Sequence, residues 1–440
     1  MYFIKSIIIY AFIIFASLPA SDHDGIKGIN IANILWVLMM LSVFIPKFIS
    51  RKFYQTGLEK IFCLLIAIIF ISVLRGYIAH DLPFYQTWFY GFLKPLQFLI
   101  LYIIIFNHFH TIDQIKNILF LNVIISLGLS ILLLWTYQQN LTNLIAGESF
   151  MGARTGGIHD NPNSLTLGFN FSLLILFFLF QESKRPKEKI IYLLSGTPIL
   201  LGILFSYTRK AWIAGIIGFI VYSLLLNHSK KIRKLFLLLL TIGMIIFLAP
   251  DTVKTRAMTL GFLNKQNSIS HEGHIWEVGQ SEGVRLEFAL SGIRNLLNNT
   301  EKLPFGGGMG EFENNAYKYS QHPKHKKGRD AHNTIVTYLC SVGLVGVTII
   351  LLFYSKIISL GQMLRRVGNN GFTKNFGGLI ISQISVYLLY SFASTSLLLW
   401  DYQTDSIIFG TIVGCAFILK KNLLIGIFEN SQNPENLMKK

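Results

Sequence analysis

Long apolar runs recur along the whole chain and alternate with mostly short polar connections. These runs approach the roughly 20 residues that a helix needs to cross the hydrocarbon core of a bilayer. They lack the period-two alternation of barrel strands, so we interpret them as helices. The predicted fold is an all-α polytopic membrane protein with about twelve transmembrane helices, which centre on residues 6–20, 29–46, 60–79, 88–106, 115–136, 164–181, 190–207, 211–227, 234–249, 332–354, 377–400 and 405–420.

Two polar segments are longer than the other connections, at about residues 137–163 and 250–331. The second is predicted to be a large periplasmic loop containing short helices, between spans 1–9 in residues 1–249 and spans 10–12 with a cytoplasmic tail in residues 332–440. Its stretch from Gly283 to Leu297 has helical periodicity and suits a helix that lies on the membrane surface or covers a cavity. The apolar side of that helix comprises Leu286, Ala289, Leu290, Ile293 and Leu297.

Composition agrees with this pattern, because 52% of the 440 residues are hydrophobic and the mean hydropathy is +0.51. The formal net charge of +17 is explained by basic residues clustered on one side of the predicted spans, so it does not indicate nucleic-acid binding. With Lys5 on the cytoplasmic side, most short basic connections are cytoplasmic, as the positive-inside rule requires. Residues 1–20 are predicted to be an uncleaved first helix rather than a signal peptide.

Cysteine and histidine spacing gives no sign of a metal site. Cys63, Cys340 and Cys415 fall within predicted helices, where each is expected to be a small buried apolar residue. His322 and His325 lie among basic residues without suitably spaced carboxylates, so we predict a solvated basic stretch there.

The most informative polar residues are His332 and Asn333, at the point where the long loop gives way to an apolar run. An imidazole exchanges protons near neutral pH, and the first amides of a helix favour anions, so this position suits chemistry on a charged substrate. The structural alternative is an ordinary histidine at a helix start. Nine residues separate Asn333 from Gly343. This glycine and Gly346 are expected to let another helix pack closely.

Three arginines fall on the same external side as His332. Arg209 begins a span after a very tight connection, where a guanidinium needs an anionic partner such as a phosphate; the alternative is an interfacial anchor with Lys210 and Trp212. Arg154 lies in a glycine-rich stretch that allows close approach to a ligand, and Arg285 lies on the amphipathic helix. A solvated loop or helix face is the alternative for these two.

Two further positions are candidates for substrate contact. Lys94 lies inside the fourth predicted span, where a charged residue is either functional or snorkels to the interface. Asn163 ends the sequence Asn161-Pro162-Asn163, which is a plausible turn and helix start, with Asn163 as the cap.

These motifs together resemble those of the O-antigen ligases, which share a superfamily with Wzy-type polysaccharide polymerases. The similar elements are Thr208-Arg209 at a span start, Arg285 followed by Pro304-Phe305-Gly306-Gly307-Gly308, Asn161-Pro162-Asn163, and His332-Asn333 before Gly343 and Gly346. Their order and the single large external loop extend the resemblance over nearly the whole chain.

The resemblance implies a metal-independent, inverting glycosyltransferase without a cofactor in the bacterial inner membrane, with its active site facing the periplasm. The donor would be an undecaprenyl-diphosphate-linked glycan and the acceptor lipid A-core oligosaccharide. Arg209 and Arg285 would bind the diphosphate and His332 would serve as general base, with Arg154, Asn333, Lys94 and Asn163 binding substrate. The alternative within the superfamily is a polymerase that extends lipid-linked repeat units, and a protein O-glycosylating relative is a third possibility.

Two functions of other classes remain open at this stage. A transporter would also have many spans with internal charges, but this sequence lacks evident duplicated halves and concentrates its polar residues on one face. A receptor or assembly scaffold could bind glycan through the large loop without reacting with it. Glycan transfer by the purified protein would exclude the scaffold.

Overall fold

The computed structural model describes residues 2–17, 31–50, 56–80, 94–145, 162–206, 208–226, 280–321, 325–329, 331–393 and 404–431. These parts of the chain are helical, with no strand among them. The helices described in the first half are α1 Tyr2–Ser17, α2 Ile31–Ile49, α3 Glu59–His80, α4 Lys94–His108, α5 Ile112–Ile145, α6 Pro162–Glu182, α7 Pro186–Phe205 and α8 Arg209–Leu225.

The described residues of the second half contribute five helices and two short 3₁₀ turns. They are α9 Gln280–Asn298, a turn at Thr300–Lys302, α10 Glu311–Asn315, a turn at Ala316–Tyr319, α11 Thr334–Val367, α12 Gly371–Ala393 and α13 Thr404–Ser431. Helix α2 contains a single π-helical stretch, Met40–Phe44, just before Pro46, whose ring removes a backbone donor.

Eight helices in the described part of the chain are long and apolar enough to cross a membrane, and α1 and α4 are shorter apolar helices. The protein is therefore a multi-pass membrane protein. Helices coincide with eleven of the twelve predicted spans, while residues 234–249 lie outside the described residues. The count of twelve stays a prediction.

Helices α6, α12 and α13 form the centre of the bundle, whereas α2 and α7 lie at its outside. A close helix crossing joins α11 and α12 at Gly361 and Gly377, where a Cβ on either residue would meet the other's backbone carbonyl. Small residues permit this approach of two membrane helices. Cys340 and Cys415 are buried as predicted, but Cys63 is exposed on α3, so its prediction as a buried residue is wrong.

The helix ends lie in two groups, one at each end of the bundle. At one end, the loop end, Asn333 before α11 contacts Phe392 at the end of α12. At the opposite end, the basic end, Arg365 of α11 donates to the Leu225 carbonyl that closes α8, at 3.1 Å. The described residues of 280–333 therefore lie at the loop end. Arg209 at the start of α8 and His332 before α11 are at this end too.

Candidate active site

Helix α11 is broken at Gly343, where φ is 68° and ψ is −171°. In an unbroken helix the first two amides after the break would bond to the carbonyls four residues earlier. Residues 303–308 instead lie between these amides and carbonyls and hydrogen-bond to both. The four bonds are Leu344 N to Leu303 O at 2.9 Å, Val345 N to Pro304 O at 3.0 Å, Gly307 N to Cys340 O at 2.8 Å and Gly308 N to Ser341 O at 3.2 Å.

Glycines make this insertion sterically possible. A Cβ on Gly343 would collide with the backbone of Pro304 and its neighbours, and one on Gly308 would collide with Gly76 of α3. The expectation that Gly343 accepts another helix is therefore wrong, because it accepts a loop backbone. Gly346 does face a helix, since its nearest neighbour outside its own turn is Ile68 of α3.

Two buried carboxylates hold in shape the described residues of 280–333, which we call the external segment after its predicted location. The Glu311 carboxylate, 1% exposed, accepts hydrogen bonds from three side chains, namely Asn295 at 2.8 Å, Lys302 at 2.9 Å and Asn315 at 3.1 Å. Glu287 on α9 pairs with both terminal nitrogens of Arg294, at 2.5 and 3.2 Å, and accepts the Gln321 amide at 2.7 Å. Because these charges are paired, burying them is tolerated.

His332 occupies an unusual backbone position directly before α11. Its φ of 47° is the one positive φ among the non-glycine residues described. This left-handed conformation is strained for a residue with a side chain, and such strain is concentrated at functional sites. The turn directs the chain from the external segment into the helix and leaves the half-buried imidazole at the loop end.

Asn333 is the N-cap of α11. Its Oδ1 accepts the Val336 amide at 3.1 Å, and its Nδ2 donates to the Phe392 carbonyl at 3.2 Å. The first bond satisfies an amide that the helix itself cannot satisfy. Since both ends of the amide are engaged, the geometry favours positioning of the neighbouring His332 over direct contact with sugar.

An aromatic stack supports the imidazole of His332. The ring of Phe288 on α9 lies nearly parallel to it, with centroids 6.2 Å apart and 12° between the planes. His325 stacks on Phe288 at 4.1 Å and on Phe312 at 5.7 Å, and it is hydrogen-bonded to Ser291 at 3.1 Å.

The prediction of a solvated basic stretch is therefore wrong for His325, which is 6% exposed. The physical reason is that α9 and α10 bring two phenylalanine rings against its imidazole. Lys326, Lys327 and Arg329 are exposed, as predicted, whereas His322 lies outside the described residues.

Arg285 lies on α9 one turn before Phe288, and its side chain is partly exposed. This spacing places it near the ring that stacks on His332, because residues three apart are neighbours on a helix surface. Arg294, on the same helix, is held by Glu287 and by the carbonyl of Tyr319. Arg285 is therefore the arginine of α9 that suits a ligand at the loop end.

Arg209 is the first residue of α8, four residues after α7 ends at Phe205, so the connection is as short as the sequence predicts. Trp212 joins the two helices, since its indole N–H donates to the Ile203 carbonyl of α7 at 3.0 Å. The Nζ of Lys210 lies 4.9 Å from the ring centroid of Tyr390. Trp212 and Lys210 thus contact the bundle directly, which disfavours a purely interfacial anchor.

The end of α12 joins the two parts of the candidate site. Tyr390 carries the contact with Lys210 and shares a 2.5 Å hydrogen bond with Thr166 of α6, while Phe392 accepts the bond from Asn333. Arg209 and His332, which are more than 120 residues apart in sequence, therefore border the same helix end.

Three predicted substrate-binding residues are placed less completely. Arg154 lies outside the described residues, and the side chains of Lys94 and Asn163 do too. Pro162 already belongs to α6, so Asn163 is a helical residue and not the cap. The residues before Lys94 lie outside the described part of the chain, so its place inside the fourth predicted span stays a prediction.

Sequence reasoning missed Phe288 and Asp405. Asp405 is fully buried at the start of α13, and its carboxylate accepts the Ser406 amide at 2.9 Å. Its signal in the sequence is a carboxylate that directly precedes an apolar run, where the positive end of a helix stabilises it.

Residues 190–351 match the O-antigen ligase family model. This segment of the chain therefore resembles the O-antigen ligase family. The segment contains Arg209, Arg285, His332 and Asn333, together with the broken turn of α11 at Gly343. The comparison with curated proteins gave no match.

The match supports a membrane glycosyltransferase-like enzyme of the ligase and polymerase type, whose substrates are lipid-linked glycans. The family segment extends from α7 to the middle of α11. It thus includes the helix start that carries Arg209 and the external segment that supports His332.

Proposed function

We propose that the protein is an O-antigen ligase that transfers a glycan from undecaprenyl diphosphate to lipid A-core oligosaccharide. The observation that carries this proposal is the common location of Arg209, Arg285 and His332 at the loop end, within the family segment. We further propose that the loop end faces the periplasm and the basic end the cytoplasm, because cytoplasmic connections of membrane proteins are enriched in lysine and arginine.

In the proposed reaction, an acceptor hydroxyl oxygen attacks the anomeric carbon of the donor while the bond from that carbon to the phosphate oxygen breaks. The diphosphate leaves with additional negative charge. Arg209 and Arg285 would stabilise that charge, and the first amides of α8 add to the field at Arg209. Such stabilisation accelerates the reaction because it is strongest in the transition state.

His332 would accept the proton of the attacking hydroxyl as general base, and Asn333 would hold it in position. General-base catalysis of this kind contributes about 100-fold to 10,000-fold. Attack on the face opposite the diphosphate inverts the anomeric configuration, and the arginines supply the charge stabilisation without a metal. Arg154, Lys94 and Asn163 are proposed to contact the donor at the same end.

The proposal is tested with purified protein, a defined undecaprenyl-diphosphate glycan and lipid A-core, with each component omitted in turn and products resolved by mass. Glycan attached to lipid A-core supports the ligase. Longer polyprenyl-linked chains formed without lipid A-core would identify a polymerase instead. The absence of both products with a competent donor would contradict the transferase proposal.

Substitution tests the contributions of His332 and Arg209 one at a time. His332→Ala and Arg209→Ala are each expected to abolish detectable transfer while the protein still inserts and accumulates, because proton acceptance and charge stabilisation are lost. Lys326→Ala, an exposed basic residue of the same segment, serves as the matched control and should retain activity. Wild-type activity in either variant would remove that residue from the mechanism.

A further inference from the structure

Basic residues from distant parts of the chain meet at the basic end of the bundle. The ammonium of Lys47, in the last turn of α2, donates to the carbonyl of Asn107 in the last turn of α4. The next residue, His108, is hydrogen-bonded to Ser6 of α1 at 2.8 Å, beside Lys5. The ends of α1, α2 and α4 are therefore in contact here.

Helix α13 brings a further charge to the same place. Asn422 donates to the carbonyl of His110 at 3.0 Å, and Lys421 precedes it in the chain. The pKa of His110 is lowered, first by its removal from water and then by the positive charges of Lys421 and Lys47. Lys47 and Lys421 thus both lie close enough to His110 to lower its pKa, although they are more than 370 residues apart in sequence.

Acidic residues near this end have other structural roles. Glu59 accepts hydrogen bonds from the amides of Thr56 and Gly57, both at 2.7 Å, where α3 begins. Asp113 lies in the first turn of α5, where the helix start stabilises a carboxylate. The positive-inside rule explains why lysines are on this side, but it does not require lysines of three separate helices to converge.

Converging like charges repel one another, and a bound anion offsets this repulsion. The cluster lies where apolar helices end, which is the depth of lipid headgroups. Basic pockets between membrane helices on the cytoplasmic side bind anionic headgroups, and each lysine adds attraction to them. A phosphate that contacts several helix ends would also hold α1, α2 and α13 together.

We propose that Lys5, Lys47, His110 and Lys421 form a binding site for the phosphate of an anionic phospholipid, separate from the candidate active site. Phosphate chemistry is shared by free phosphate, but a diacyl lipid fits better because the surrounding helix surfaces are apolar. Phe48 and Ile49 beside Lys47, and Leu424 and Ile425 one turn beyond Lys421, are large exposed apolar residues.

The test uses the full-length protein in detergent with added phosphatidylglycerol or phosphatidylcholine, and native mass spectrometry to measure retained lipid. The wild type should retain phosphatidylglycerol preferentially. Lys5→Gln combined with Lys421→Gln should weaken this retention by about tenfold or more, since two headgroup contacts are lost. Lys47 is left unchanged, because its ammonium also donates to the Asn107 carbonyl in the last turn of α4. The matched control combines Lys184→Gln with Lys187→Gln, which are exposed in the region where α6 and α7 join at the same end.

Thermal unfolding of both double variants establishes that each is folded. Equal retention of the two lipids by the wild type, or undiminished phosphatidylglycerol retention in the folded cluster variant, would overturn the proposal. A third arm adds inorganic phosphate at millimolar concentration. Little displacement of the lipid supports the phospholipid site, whereas full displacement would show that the cluster binds free phosphate and would overturn the lipid assignment.

Discussion

Phe288 is the side chain whose ring lies parallel to that of His332, and it offers the sharpest prediction at the residue scale. Phe288→Leu should lower the turnover rate by about tenfold to 100-fold, because small misplacements of a catalytic group are costly. Donor affinity and protein accumulation should change little, and Phe288→Tyr should restore most of the rate. Initial rates with saturating donor measure the effect.

The control for Phe288 is Phe305→Leu, which changes an exposed ring in the same external segment. A loss of rate that Phe288→Tyr fails to restore, or an equal loss in the control, would contradict a positioning role for the stacked ring.

Gly343 carries a second prediction. Gly343→Ala should destabilise the junction between α11 and the external segment, because a positive φ with ψ near 180° costs about 1–3 kcal/mol with a Cβ and the new atom would collide with Pro304. We expect a lower midpoint of thermal unfolding and faster proteolysis within 280–333. Gly128→Ala places the same methyl group in α5 where nothing lies within 4 Å, and it should leave both unchanged.

The sequence predicts some of these residues and not others. Arg209 and His332 are recognisable because polar residues at the border of an apolar run are conspicuous on their own. Phe288 and His325 are not recognisable, since a phenylalanine on an amphipathic helix has the same pattern whether it packs on a leucine or on an imidazole. Their meaning depends on which helix α9 contacts, and that is decided by tertiary structure.

Helix α9 illustrates the same limit at the scale of elements. The predicted helix at 283–297 is confirmed within Gln280–Asn298, but its apolar stripe points outward except at the buried Ala289, with Leu286 55% and Leu297 63% exposed. The buried side instead includes the polar residues Glu287 and Asn295, whose partners come from elsewhere in the external segment. In water, an apolar helix face is expected to pack against the protein. At a membrane surface it is expected to face the lipid instead.

The outward stripe of α9 should contact lipid. The helix packs on the first turns of α11, where Cys340 Sγ lies 3.6 Å from the Gly292 carbonyl, so the stripe is at the level where that span begins. A photoreactive benzoylphenylalanine at Leu290 is expected to form lipid adducts detectable by mass spectrometry. The same group at Asn298, an exposed polar position on α9, is the control and should give none. Absence of lipid adducts at Leu290 would contradict an interfacial helix.

Spans were the easiest elements to predict, because length and hydropathy alone identify a segment that can cross a bilayer. Helix starts were harder. Asn163, predicted as the cap of its span, is a helical residue of α6, because Pro162 before it already belongs to the helix and proline suits a first turn.

For the whole molecule, the external segment is a folded unit whose stability rests on Glu311. Glu311→Ala would leave Lys302 and two asparagines without their buried acceptor, a loss that typically costs about 3–5 kcal/mol. We expect faster hydrogen exchange across 280–321 and reduced transfer, with the membrane helices unaffected. Glu301→Ala, at an exposed carboxylate nearby, is the control. Equal exchange in the two variants would show that the network is dispensable.

The pairing of the 303–308 backbone with α11 lies beyond prediction from one sequence. The resemblance identifies Pro304 and Gly343 as motif positions, but nothing local indicates that the two motifs bond to each other. The division at 331 and 332 in the predicted organisation consequently separates segments that share hydrogen bonds.

This insertion has a consequence for how the chain is assembled. Residues 303–308 precede α11 in the chain, so they are synthesised before the helix whose broken turn they complete. Without them, the break of α11 at Gly343 would leave the Leu344 and Val345 amides and the Cys340 carbonyl without partners, each at a cost of several kcal/mol in the bilayer. Chimeras between relatives should therefore exchange residues 303–345 as one block, because a junction inside it would separate a helix from the strip of backbone that completes it.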